Sequence, residues 1–242
     1  MTLTHLLPLL DAPDAAIARG ERHIRTADLP SAARPAVIAA MAARLGVPIL
    51  VVTARQETAD MLGTALALFL PPASPPVPWS APDPLPYEQL PHDAALSARR
   101  SAILGALVEQ PGVSPLVIVA TVRALMATVR RPASYRNDVI RVEVGQRRSD
   151  AALVRDLVAA GYRVEPLVDG PCTVSRRGGI IDVYTPGPDE GVRIEFFGDE
   201  IDSIRRFDPV TQRSIERVRA ATLLPPLEFD LTARDDAVAR LT

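Results

Sequence analysis

The chain has 242 residues, of which 48% are apolar and 4% aromatic, with a formal net charge of -2. That is enough apolar material for two domains or one large one, and too little positive charge for an overall field that draws in nucleic acid. A single cysteine, Cys172, excludes an intrachain disulfide. No lysine occurs, so all 27 basic residues are arginine. The first ten residues include apolar ones but carry no basic segment, and Asp11 and Asp14 follow, so no signal peptide is read. No apolar run is long enough to span a bilayer, and a soluble, cytoplasmic protein without membrane contact is the expected class.

In chain order, 14–20 reads as a short helical stretch. Residues 31–45 place Val37, Ile38, Met41 and Leu45 at helical spacing, with Ser31 as the expected N-cap and Gly46 as the stop. The continuous apolar run 47–53 is short and β-branched, which predicts a buried parallel strand. Residues 57–70 predict a second helix, giving an α/β layer pattern. The proline-rich stretch 71–91, containing Trp79, predicts a surface connector. A helix over 94–109 follows, with Asp93 as its cap. Then come a second buried strand over 115–120 and a helix over 121–130, where Arg130 and Arg131 favour the negative end of the dipole.

Beyond Pro132 the pattern becomes α+β. Residues 139–144 alternate apolar and polar as a half-exposed strand does. A helix over 150–160 is opened by Ser149 and closed by Gly161. Short strands are predicted at 162–168, 172–175, 179–184, 192–197, 201–207 and 214–224, with Asp199 and Glu200 in a tight hairpin connection. They form one antiparallel sheet. Residues 233–242 begin a helix without a stop signal, as in part of a longer protein, and no internal repeat is present.

Few residues carry reactive chemistry. His5, His23 and His92 are scattered and lack metal-ligand spacing. Cys172 has no nearby histidine, and its strand position predicts a packed thiol. Asp199, Glu200 and Asp202 make an acidic turn without a ligand cage, read as solvated rather than metal-binding. No nucleophile elbow or paired acid and base stands out. On the strand 192–197, alternation puts Val192, Ile194 and Phe196 on one face and Arg193, Glu195 and Phe197 on the other. The first set is wholly apolar and is the better core. An aromatic on the outer face beside arginine is either an interface anchor or a cap on the core edge, with Arg193 paired to Glu195 or another carboxylate. Arg176 is expected to point away from its neighbour Arg177.

The run Ser175-Arg176-Arg177-Gly178-Gly179-Ile180-Ile181-Asp182-Val183-Tyr184, continued by Arg193-Ile194-Glu195-Phe196-Phe197-Gly198-Asp199-Glu200-Ile201-Asp202, resembles the UvrA-interacting domain shared by UvrB and the transcription-repair coupling factors. Gly145-Gln146-Arg147 and Gly161-Tyr162 fall where that family has them. Leu85-Pro86-Tyr87, Arg99 and the strand 115–120 resemble the coupling factors more than UvrB. The resemblance is strong over 85–224 and weaker, but collinear, over 28–70. It implies a degenerate helicase-like, P-loop-type α/β domain at 1–90, a second part of that module at 91–135 resumed at 226–242, and an inserted α+β domain with an antiparallel sheet at 136–226. It also implies that Arg177, Arg193 and Phe197 contact UvrA. By the same resemblance, the longer parent recognises stalled RNA polymerase on double-stranded DNA and recruits nucleotide excision repair. ATP and Mg²⁺ would then serve only the parent's motor, outside these residues.

Where UvrB carries a phosphate-binding loop, this chain reads Thr26-Ala27-Asp28-Leu29-Pro30-Ser31-Ala32-Ala33-Arg34-Pro35. That stretch has no glycine to wrap backbone N–H groups around phosphates and no lysine for their charge, while Asp28 repels them. No cofactor and no enzymatic activity are therefore expected of the chain itself. An ATP-dependent DNA enzyme of the UvrB type is the weaker alternative. A structural or autoinhibitory module packed against the parent's motor is another, and it is compatible with docking.

Overall fold

A computed structural model describes residues 15–17, 19–25, 29–81, 93–109, 116–187 and 191–227. The expected helix at 233–242, His5, His92, the Leu85-Pro86-Tyr87 landmark and Thr26-Ala27-Asp28 lie outside the described residues. Among the described residues the fold is mixed α/β with three sheets. The chain divides into two compact units: Met1–Ala81 with Pro111–Ala127, and Pro82–Gln110 with Thr128–Thr242. No described helix is long and apolar enough to cross a membrane.

The first unit holds a parallel three-stranded sheet in the order β1 (Ile49–Thr53), β3 (Val117–Thr121), β2 (Val77–Trp79). Helix α1 (Arg34–Leu45) and helix α2 (Gln56–Leu66) pack Ala39, Ala42, Ala59 and Leu66 against Val117, Val119, Ile49 and Val51. Central β3 is buried along its whole length, as its apolar run requires. β1 is parallel as expected but not fully buried. It is an edge strand, and Leu50 and Val52 on its second face are half exposed.

Ser31 does not cap α1. It starts a 3-10 turn, Ser31–Ala33, that runs straight into the helix, whose N-cap residue is Ala33. Gly46 closes α1 in the left-handed conformation, as expected. The connector 71–91 contains a strand that the sequence hides. β2 pairs Val77, Pro78 and Trp79 with Ile118, Val119 and Ala120 of β3. Proline is tolerated there because β2 is an edge strand and need not donate on both sides. Trp79 is buried, and its indole N–H donates to the Ala124 carbonyl at 3.2 Å.

The helix expected at 121–130 is a single turn, α4 (Val122–Leu125), capped by the Thr121 hydroxyl. In the second unit Arg130 is therefore no helix-end cation. Its buried guanidinium donates to the Ser134 carbonyl and hydroxyl and to Asp138, across the short helix α5 (Pro132–Asn137). Helix α3 (Ala94–Glu109) is capped by Asp93, which accepts from the amides of Ala95 and Leu96.

The rest of this unit is built on helix α6 (Asp150–Ala160) and a six-stranded sheet. Ser149 caps the start of α6 through the Ala152 amide, and Gly161 ends it at φ 108°. The sheet runs in the order β10 (Ser214–Val218), β9 (Glu200–Phe207), β8 (Gly191–Phe197), β7 (Ile180–Tyr184), β6 (Thr173–Arg177), β5 (Arg163–Val164). Leu153, Leu157 and Ala160 of α6 pack on Val174, Ile181, Val183, Val192, Ile194 and Ile204. Each such fully buried aliphatic contributes roughly 1.5–3 kcal/mol.

The expected single antiparallel sheet needs two corrections. The two-residue β5 pairs parallel to β6, so the strand read over 162–168 is mostly loop. The strand read over 214–224 breaks after Val218, and β11 (Ala220–Leu223) leaves to pair with β4 (Ile140–Glu143) as a separate two-stranded sheet. Gly191 reflects close packing: a β-carbon there would lie 2.2 Å from the buried ring of Phe207.

Candidate functional site

The two faces of the six-stranded sheet differ in chemistry. Its inner face is the aliphatic core under α6. The pairs Asp182↔Arg193↔Arg205 and Ile180↔Glu195↔Ser203 form two rows on the other face. One end of that face is roofed by the 166–170 loop. There the Ser175 hydroxyl donates to the Pro166 carbonyl, and the Gln212 amide to the Val168 carbonyl. The other end carries two tight turns, Gly178-Gly179 and Gly198-Asp199, and is open.

Both turns depend on glycine. Gly178 has φ 58° and Gly198 φ 61°, so each hairpin closes in two residues without side-chain strain. The acidic turn read at Asp199-Glu200 is shifted by one: Gly198-Asp199 make the turn, and Glu200 opens β9. The turns are also tied together and braced. The Phe196 amide donates to the Gly179 carbonyl at 2.8 Å. The Arg148 amide donates to the Asp199 carbonyl at 2.8 Å, and the backbone of Arg147 pairs with that of Glu200 in an isolated antiparallel β-bridge. This gives the Gly145-Gln146-Arg147 landmark a structural role: it supports the β8–β9 hairpin.

On this braced hairpin Phe197 is 83% exposed. It shares the outer face with Arg193, as alternation requires, and makes no cap on the core. Two residues along from Phe197, Glu195 accepts from the Ser203 hydroxyl at 2.6 Å and from Arg205 at 3.2 Å. Ile180, across from Glu195 and next to the Gly178-Gly179 turn, is also exposed.

Arg193 is held differently. Its Nε and Nη2 donate as a fork to the two carboxylate oxygens of Asp182, at 2.7 and 2.9 Å. Its Nη1 reaches the Gln212 carbonyl at 3.5 Å, and its guanidinium lies 4.8 Å from the centre of the Phe207 ring. Only 16% of the side chain is exposed. The hydrogen bonds to Asp182 hold its pKa above the ordinary arginine value, against the opposing effect of burial. From the other side, Arg177 Nη2 donates to the same Asp182 carboxylate at 2.7 Å, while 51% of its side chain stays exposed. Asp182 itself is 1% exposed. Arg176 points to the opposite face, where it pairs with Asp150 in the first turn of α6 at 2.6 Å.

The structure thus brings Arg177 and Arg193 together through one buried carboxylate, with Phe197 on the same face at the open end. Asp182 and Ile180 were not singled out from the sequence. The signal was present in the run Ile180-Ile181-Asp182-Val183: a charge inside an apolar strand must be paired.

Other sites offer less. Cys172 lies in the turn before β6 rather than in a strand, at φ 65°, and burial pushes its thiol up to about 11. Among the described residues no three His, Cys, Asp or Glu side chains are grouped to hold a metal ion.

Residues 140–229 match the family described as the UvrB interaction domain. The chain is 38% identical to a transcription-repair-coupling factor of Myxococcus xanthus, over 88% of this chain and 18% of that protein. It is 36% identical to the transcription-repair-coupling factor of Escherichia coli, over 60% of this chain and 12% of that protein. It is also 32% identical to the UvrABC system protein B of Fervidobacterium nodosum, over 58% of this chain and 21% of that protein. These similarities bear out the family resemblance read from the two motifs. The chain spans roughly a fifth or less of the length of these relatives.

Proposed function

We propose that this chain is a UvrA-docking module, and that the outer face of its six-stranded sheet is the docking surface. The observation that carries the reading is Phe197: a large aromatic, 83% exposed, on a hairpin braced from two sides. An exposed aromatic on a rigid support loses little conformational freedom on binding and has a large apolar area to bury. Arg177 supplies an accessible positive charge beside it, and Arg193 supports that charge from below. The match of residues 140–229 to the UvrB interaction domain supports the same reading.

In this reading the first unit is a helicase-like domain without a nucleotide site. Pro35 in the first turn of α1 supports it, because proline has no backbone N–H to offer a phosphate at the helix start. The parent protein recruits nucleotide excision repair to stalled RNA polymerase on double-stranded DNA, using an ATP- and Mg²⁺-dependent motor elsewhere in its length.

The test is UvrA binding by the chain, compared with Phe197→Ala, Arg177→Ala and Arg193→Ala. Docking through this face requires each folded variant to bind about tenfold more weakly or worse, since 1.4 kcal/mol is a factor of ten. Equal binding by wild type and all three variants moves the surface elsewhere. A nucleotide titration tests the second element: ATP binding at physiological concentration contradicts it.

A further inference from the structure

We propose that Asp182 is the positioning residue of this face, fixing both guanidiniums so that Arg177 offers its exposed edge to an acidic surface on the partner. The inference rests on the docking reading above. Asp182 sits on β7 between the two arginine-bearing strands. Arg193 lies directly across from it on β8, and Arg177 is its diagonal neighbour on β6. A carboxylate 1% exposed has lost its water and must be compensated by donors. Here three N–H groups from two guanidiniums do so, at 2.7, 2.7 and 2.9 Å.

The two arginines are unequal. Arg193 is taken up by Asp182, Gln212 and the Phe207 ring. Arg177 is anchored through Nη2 and keeps half of its side chain in solvent. Two positive charges against one negative leave a local excess of one, displayed on the Arg177 side. An arginine already fixed at one nitrogen has less rotamer freedom to lose when a partner carboxylate meets its remaining donors. The matching partner surface is acidic, beside an apolar pocket for Phe197.

Positioning and simple charge give opposite signs for Asp182→Asn. If only net charge mattered, removing the negative group would make the face more positive and leave binding to an acidic surface unchanged or tighter. If Asp182 positions the arginines, binding weakens by about tenfold, because the amide keeps only one acceptor oxygen for two guanidiniums.

The experiment measures UvrA affinity of the chain with wild type, Asp182→Asn, Arg177→Ala and the double variant, each with a thermal melt. The expected result is weaker binding by folded Asp182→Asn, and no further weakening when Asp182→Asn is added to Arg177→Ala. Unchanged or tighter binding by folded Asp182→Asn overturns the proposal, as does an undiminished effect in the Arg177→Ala background. Should Asp182→Asn not fold, the ¹⁵N relaxation of Arg177 Nε in the wild-type chain decides. Order close to that of the backbone supports anchoring, and free rotation overturns it. Loss of the docking reading itself has a different signature, because wild type then fails to bind.

Discussion

The two faces of the six-stranded sheet are made by the same strands and do opposite work. On the inner face Ile181, Ile194 and Ile204 are closed off by α6 and join one continuous core. On the outer face Asp182, Arg193 and Arg205 stand one residue along from those isoleucines and form a charged lattice. A third condition appears within the outer face itself. Phe207 is fully buried, with the Arg193 guanidinium 4.8 Å from its ring; at the open end Phe197, on the neighbouring strand, is left in solvent. Two phenylalanines on one face thus have different fates because of what packs over them. The lesson is that periodicity assigns a side chain to a face, while coverage by distant segments decides whether that face is core or interface.

Substitutions on the two faces should separate stability from binding. The largest expected effect is on the inner face: Ile194→Ala removes a fully buried side chain and should cost about 2–5 kcal/mol, read as a lowered denaturation midpoint. A loss under about 0.5 kcal/mol would show the inner face to be loosely packed. Phe197→Ala should do the reverse. Its melt should stay within the small range of surface substitutions, while UvrA binding falls by about 2 kcal/mol in a titration. A large stability loss there would make Phe197 part of the fold. Gly198→Ala links the two, since φ 61° is unfavourable for alanine. It should cost about 1–2 kcal/mol of stability and weaken binding by disturbing the hairpin that carries Phe197. Unchanged stability and binding would sever that link.

The smallest expected effect is alkaline. Burial raises the thiol of Cys172 from 9.0 to about 11 and holds the Tyr162 hydroxyl above its ordinary range. Both groups are neutral when protonated, so the folded state favours the proton. The Cys172 contribution is fully present below pH 9.0, the ordinary thiol value, and is lost as pH rises through about 11. The part lost by pH 10 is about 1 kcal/mol, checked by comparing the pH dependence of the melt in wild type and Cys172→Ala.

Local signals in the sequence were legible where they act locally. The Ser149 and Gly161 caps, the Asp93 cap and the uninterrupted apolar run of β3 each specify their own structure. The outward placement of Arg193 and Phe197 followed from alternation alone. What escaped the reading depends on distant partners. β2 is a strand because β3 offers an edge, although Pro78 within it and Pro75 and Pro76 before it argue for a loop. β11 leaves the main sheet because β4 is available to pair with it, from nearly eighty residues upstream. From sequence Arg193 reads either as an interface cation or as one paired with Glu195 or another carboxylate; the fold makes Asp182 that carboxylate and brings Gln212 and Phe207 around it. Asp182 is the instructive omission: its position inside an apolar strand required a buried partner, and two arginines lay five and eleven residues away.

The most direct test of the docking face is hydrogen exchange of the chain with and without UvrA. Slowed exchange at the turn amides of Gly178, Gly179, Gly198 and Asp199 is the expected result, since these turns frame the open end of the outer face. Protection confined to the first unit, with these four amides exchanging as they do in the free chain, would contradict the assignment of the surface.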